Sequence, residues 1–195
     1  MNVMEEFVII LGISLDIFAV MECQGSLVAK VEKRQLMVCC SILVAGQVIA
    51  LGIGNFISVL LCEGVTEVNE MFLGQVAAAV IFLSQGGRLF LKAWRNERIV
   101  EHREEKFDMG EFIKLYARTS NFTFLTGFAF GFLETSMWMV VLLLTVMTVL
   151  VTVLGVYTGY RLGFEHKIKA YLAGGFLLVA GGIDVIVGHI CNFIS

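Results

Sequence analysis

Six apolar runs dominate the chain, at roughly 7–29, 36–61, 71–94, 112–133, 136–160 and 169–192, separated by short polar connectors. A helix needs about 20 apolar residues to cross the hydrocarbon layer of a bilayer, so each run is long enough to span it. With 195 residues in all, little is left for anything else. The predicted fold class is an all-α integral membrane protein of six transmembrane helices. Composition agrees: 58% of the residues are hydrophobic, 16% are charged and proline is absent, which argues against an ordinary soluble domain. The longest polar stretch, about 92–118, is too short and too charged to bury a core, so residues 1–195 read as a single transmembrane domain. A net charge of −3 gives no footprint for a nucleic-acid partner. The five cysteines (Cys23, Cys39, Cys40, Cys62, Cys191) lie mostly inside apolar runs and outline neither a disulfide framework nor a zinc pattern. The opening MNVMEE carries acid where a secretion signal carries Lys or Arg, so the first run reads as a retained span.

The first and fourth runs are the most interrupted, one by Asp16, Glu22 and Gln24, the other by the stretch Arg118 to Asn121. Their place as spans follows from the charge pattern. Of 14 Lys and Arg residues, three (Lys30, Lys33, Arg34) follow the first run, seven surround the third connector (Lys92 to Arg118) and three (Arg161, Lys167, Lys169) surround the fifth. The alternate connectors carry Glu63, Glu67 and Glu70, or Glu134 alone. Positive-inside bias then puts connectors one, three and five in the cytoplasm and both termini outside.

The halves resemble one another. Around Asp16 the segment GISLDIF matches RTSNFTF around Asn121; an offset of 105 pairs Asp16 with Asn121 and Gly54 with Gly159. Gly86-Gly87 likewise matches Gly181-Gly182 at an offset of 95. Three spans per half is an odd number, so the halves would sit upside down relative to each other, as two inverted repeats. The repeats run from about 1 to 95 and from about 112 to 195, joined by a charged cytoplasmic connector of about 95–111. Gly127 with Gly131, Gly155 with Gly159, and Ala50 with Gly54 recur at four-residue spacing, which lets helix backbones approach closely in lipid.

A carboxylate at the bilayer centre costs at least about 2.5 kcal/mol, so each one needs a partner or a task. Asp16, Glu22, Arg88 and Asp184 are the ionisable residues in question. Asp16 shares a helix face with Ala19, Val20 and Cys23, whereas Glu22 points about 120° away. Glu22 and Arg88 fall at similar depth, so a structural ion pair is expected between them, with a gating role as the alternative. Asp16 has no basic neighbour in the pattern, which leaves a cation or a proton as its partner. Asp184, in the outer half of the last span, is a candidate exit-side ligand. Gln47 and Asn121 add amide oxygens, and oxygen ligands of this kind suit hard or borderline cations such as Mn²⁺, Mg²⁺ and Ca²⁺. The candidate metal ligands are therefore Asp16, Asn121, Gln47, Asp184 and Glu22. The mixed-charge segment NERIVEHREEKFDMGE reads as a solvated connector, with His102 a weak metal-sensing alternative. No phosphate-cradling loop, nucleophile motif or cofactor-binding pattern stands out, so an enzyme is not expected and any transport would draw on an ion gradient.

GISLDIFAV in the first span, FLSQGGRLF in the third and GGIDVIVGH in the last together resemble the bacterial manganese-efflux pump family, over nearly the whole chain. The resemblance implies export of Mn²⁺ from the cytoplasm, across the bacterial plasma membrane and against protons, with Mn²⁺ as substrate rather than cofactor. It also implies a membrane-embedded Asp in the first span of each repeat. The first of these acids is matched by Asp16. The second, in a motif reading much like TSLD, meets Arg118-Thr119-Ser120-Asn121, so Asn121 replaces it. Two carboxylates balance a divalent ion and one does not, which weakens binding unless another acid such as Glu22 or Asp184 compensates. Three readings follow: a divergent metal exporter, a transport-inactive paralogue acting as a membrane binding partner, and an exporter of another small cation or amino acid.

Overall fold

The computed structural model describes residues 3–27, 33–62, 67–95, 109–133, 135–163 and 166–194, with side-chain surroundings for 4–27, 33–61, 74–95, 120–133, 135–163 and 166–187. The connector carrying His102, and Glu134, lie outside these residues. Apart from short turns, the described chain is helical: α1 (Val3–Leu27), α2 (Lys33–Cys62), α3 (Glu67–Arg95), α4 (Met109–Phe132), α5 (Met137–Leu162) and α6 (Lys167–Ile194). Each helix falls on one of the six apolar runs. Segments of α2, α3, α5 and α6 are long and apolar enough to cross a membrane. No strand occurs among the described residues.

The end of α5 follows from residue type. α5 stops at Gly163, whose positive φ of 74° is costly for any side chain, and its N–H bonds back to the Gly159 carbonyl at 2.9 Å.

α1 lies at the centre. It packs chiefly on α5 and α6, while α2 packs on α4 and α3 on α6 and α4. From Ile9 to Gly25 its residues are buried, apart from half-buried Leu11, Leu15 and Phe18. That position allows a helix carrying Asp16 and Glu22 to exist in an apolar body: its polar groups face protein rather than lipid. Ile9, Ile10, Phe82, Phe130, Leu144 and Leu178 form the main core around it.

Close backbone approach holds the pairs together. A Cβ on Gly159 would collide with the Glu22 carbonyl, one on Gly25 with the Val156 backbone, one on Gly54 with the Phe124 carbonyl and one on Gly127 with the Leu51 carbonyl. The helix pairs α1–α5 and α2–α4 therefore depend on the absence of side chains at these positions. The outer surface is the reverse of a soluble protein's: Ile49, Ile53, Phe56, Leu142, Leu150, Leu154 and Phe176 stand exposed. Trp94 and Trp138, about nine-tenths exposed, sit near the ends of α3 and α5, where amphipathic rings meet a membrane interface.

Candidate cation site

Asp16 is fully buried on α1, and its partner is Lys92 of α3. The ammonium donates to Asp16 Oδ1 at 2.7 Å, while Oδ2 is buried with no hydrogen-bond partner. The Lys92 Nζ also lies 4.5 Å from the centre of the Phe122 ring on α4 and 5.5 Å from that of Tyr171 on α6. One carboxylate and two ring faces thus surround a single ammonium, and ring faces attract cations through their quadrupole. The Arg88 guanidinium, one turn before Lys92, lies 5.2 Å from the same Phe122 ring. Two cations accompany one carboxylate here. The expectation that Asp16 lacks a basic neighbour is corrected: Lys92, counted from sequence with the third connector's basic residues, reaches back along the helix to it.

Phe122 is held by a polar clamp. Its carbonyl accepts bonds from Gln85 Nε2 at 3.1 Å and from the Thr126 hydroxyl at 2.9 Å, and the latter also lies 3.3 Å from Gln85 Oε1. Gln85, Arg88 and Lys92 follow one another at spacings of three and four along α3, a polar stripe on an otherwise apolar helix. That stripe is the signal in the sequence that marks Lys92 as more than a connector residue.

Glu22 does not pair with Arg88. It is fully buried and accepts the backbone N–H of His166 at 3.0 Å, with His166 Nδ1 at 3.6 Å from the same oxygen. Glu22 Oε2 and His166 Nδ1 are buried without hydrogen-bond partners. The reason is packing: α1 turns its Glu22 face toward α5 and the start of α6, while Arg88 stays on the α3–α4 side.

The remaining expected ligands are scattered. Gln47 of α2 is fully buried and its side-chain oxygen accepts the Thr123 hydroxyl of α4, leaving Nε2 unpartnered. Asn121 stands on the exposed side of α4, and its neighbour Phe122 is the residue that meets Lys92. Asp184 is exposed on α6. The geometry around Asp16 therefore gathers Lys92, Phe122, Tyr171 and Arg88, and takes in neither Asn121 nor Asp184. Among the described residues no three His, Cys, Asp or Glu side chains cluster closely enough to hold a metal ion.

Residues 30–186 match the family described as "Putative manganese efflux pump". The chain belongs to this family. Relatives bearing the same description include a protein of Desulfitobacterium hafniense strain Y51, 27% identical over 97% of each chain. Another, from Mannheimia succiniciproducens, is 25% identical over 97% of this chain and 98% of its own. One from Methanothermobacter thermautotrophicus is 24% identical over 97% of this chain and 98% of its own. No solved structure is a significant match. Membership of the manganese-efflux family, together with the apolar helices, makes this a multi-pass membrane protein of a transporter family.

Proposed function

We propose that the chain exports a divalent metal cation, with Mn²⁺ the leading substrate, from the cytoplasm across the bacterial plasma membrane in exchange for protons. The observation that carries this reading is a fully buried carboxylate, Asp16, at the heart of a fold whose relatives are named manganese efflux pumps. An uncompensated carboxylate at that depth is too costly to persist without a cationic partner. In transport Asp16 is the charged ligand, while Gln47 stays on its Thr123 partner and Glu22, on its own His166 partner, belongs to the end of α1 at which Lys167 and Arg161 place the cytoplasm. Asn121 and Asp184 stay outside the coordination in this reading.

The two halves are proposed to be inverted repeats, and the close helix contacts support that plan. Gly159 of α5 sits against the Glu22 carbonyl and Ser26 N–H of α1, and Gly54 of α2 sits against the corresponding atoms of Phe124 and Phe128 of α4. The two glycines are related by the same offset of 105 that pairs them in the sequence, whereas the α1 and α4 atoms they meet are related by an offset of 102, three short of the pairing of Asp16 with Asn121.

A second reading is favoured by the box itself: one carboxylate with two ring faces suits a monovalent ammonium better than a divalent metal. Expression of the wild type and Asp16→Asn in a bacterium lacking its own manganese exporter tests the first. The expected result is lowered cell manganese and growth in excess Mn²⁺ with the wild type, both lost in Asp16→Asn. If neither protein changes cell manganese although both are inserted, manganese export is rejected and monovalent cations take its place.

A further inference from the structure

The place a cation would take beside Asp16 already holds one. We propose that Lys92 is the tethered occupant of this site, and that a transported cation enters by taking the place of the Lys92 ammonium between the Asp16 carboxylate and the faces of Phe122 and Tyr171. This rests on the cation-export reading above and adds its specificity device.

Three observations converge. The ammonium lies at direct hydrogen-bond distance, 2.7 Å, from a carboxylate oxygen with no solvent exposure. It touches two ring faces contributed by two further helices, so α1, α3, α4 and α6 all meet at this one charge. The lysine also has somewhere to go. Its side chain is 27% exposed in the last turn of α3, next to Arg95, where its flexible stem can carry the ammonium to water and the helix C-terminus favours a positive charge. Asp16, fixed on a buried helix, cannot follow. A bound Mn²⁺ and a seated Lys92 would place like charges side by side, which excludes joint occupancy. Lys92 therefore competes with the substrate, keeps the carboxylate neutralised between transport events, and sets a threshold below which a weak cation does not enter.

The test uses the purified full-length wild type, Lys92→Ala, Lys92→Arg and the double variant Asp16→Asn/Lys92→Ala. Mn²⁺ binding and thermal unfolding, with and without n-butylammonium as a free replacement for the lost side chain, are the readouts. Lys92→Ala is expected to bind Mn²⁺ roughly tenfold or more tightly than the wild type, because the competing charge is gone. Its unfolding temperature should rise by several degrees with n-butylammonium, which leaves the wild type unmoved. Lys92→Arg should show neither gain, and both gains should vanish in the double variant. Equal Mn²⁺ affinity in the wild type and Lys92→Ala overturns the exchange and leaves metal export standing. Absence of Mn²⁺ binding throughout, with Asp16-dependent stabilisation of Lys92→Ala by n-butylammonium, upholds the tethered occupant and removes the metal. Gains that persist without Asp16, or a Lys92→Ala protein that cannot be obtained folded even with n-butylammonium present, overturn the proposal.

Discussion

At the residue scale, the buried ion pair is the most consequential contact. Removing one partner of such a pair costs about 3–5 kcal/mol, because it strands the other charge, whereas removing both costs far less. Lys92→Ala in the absence of a replacement cation should therefore lose stability on that order, and Asp16→Asn/Lys92→Ala should recover most of it, as thermal unfolding in detergent would report. Recovery would be missing if the two side chains did not meet. Glu22 poses a different case, since its partner is a backbone N–H. Glu22→Ala leaves that donor unsatisfied in a partly buried place and is expected to cost about 1–3 kcal/mol. Glu22→Gln keeps the acceptor oxygen and should cost clearly less in the same unfolding measurement. That Asp16 and Glu22 demand partners was legible from their place in apolar runs. Which partners they found was not, because Lys92 and His166 come from distant parts of the chain.

At the element scale, glycine decides how closely helices approach. Gly159 and Gly127 face carbonyls of the neighbouring helix, whereas Gly52 and Gly87 face open space. Gly159→Ala and Gly127→Ala should each destabilise the fold by about 1–3 kcal/mol or more through overpacking against backbone that cannot yield. Gly52→Ala should be neutral or stabilise by roughly 0.5–1 kcal/mol, since alanine gives up less backbone freedom in a helix. Comparing folded yield and unfolding temperature of these variants checks the contrast. Four-residue spacing in the sequence pointed to Gly127, Gly155, Gly159 and Gly54, and those are close-contact positions in the structure. It did not settle rotation: one residue is about 100° of helical turn, so a pairing one residue out exchanges exposed Asn121 for buried Phe122.

At the scale of the whole molecule, the apolar exterior suits a bilayer, and the alternation of basic connectors in the sequence is the basis of the proposed orientation. The proposed orientation is tested with single cysteines in a cysteine-free background, at Ser136 between α4 and α5 and at Leu162 at the end of α5, both exposed. A membrane-impermeant maleimide should label Ser136→Cys in intact cells and Leu162→Cys only after lysis; the reverse pattern would invert the topology. The six helices and their all-α class were written in the hydropathy, because in lipid a long apolar run must satisfy its own backbone hydrogen bonds and can do so as a helix. The need for a charge partner at Asp16 was equally a property of the sequence, set by the cost of burying a carboxylate. The identity of that partner, the aromatic faces around it and the exclusion of Asn121 were decided only by packing. These depend on how four helices rotate and cross, and an interhelical register shift of a single residue, invisible in the hydropathy of any one helix, changes every neighbour a side chain meets.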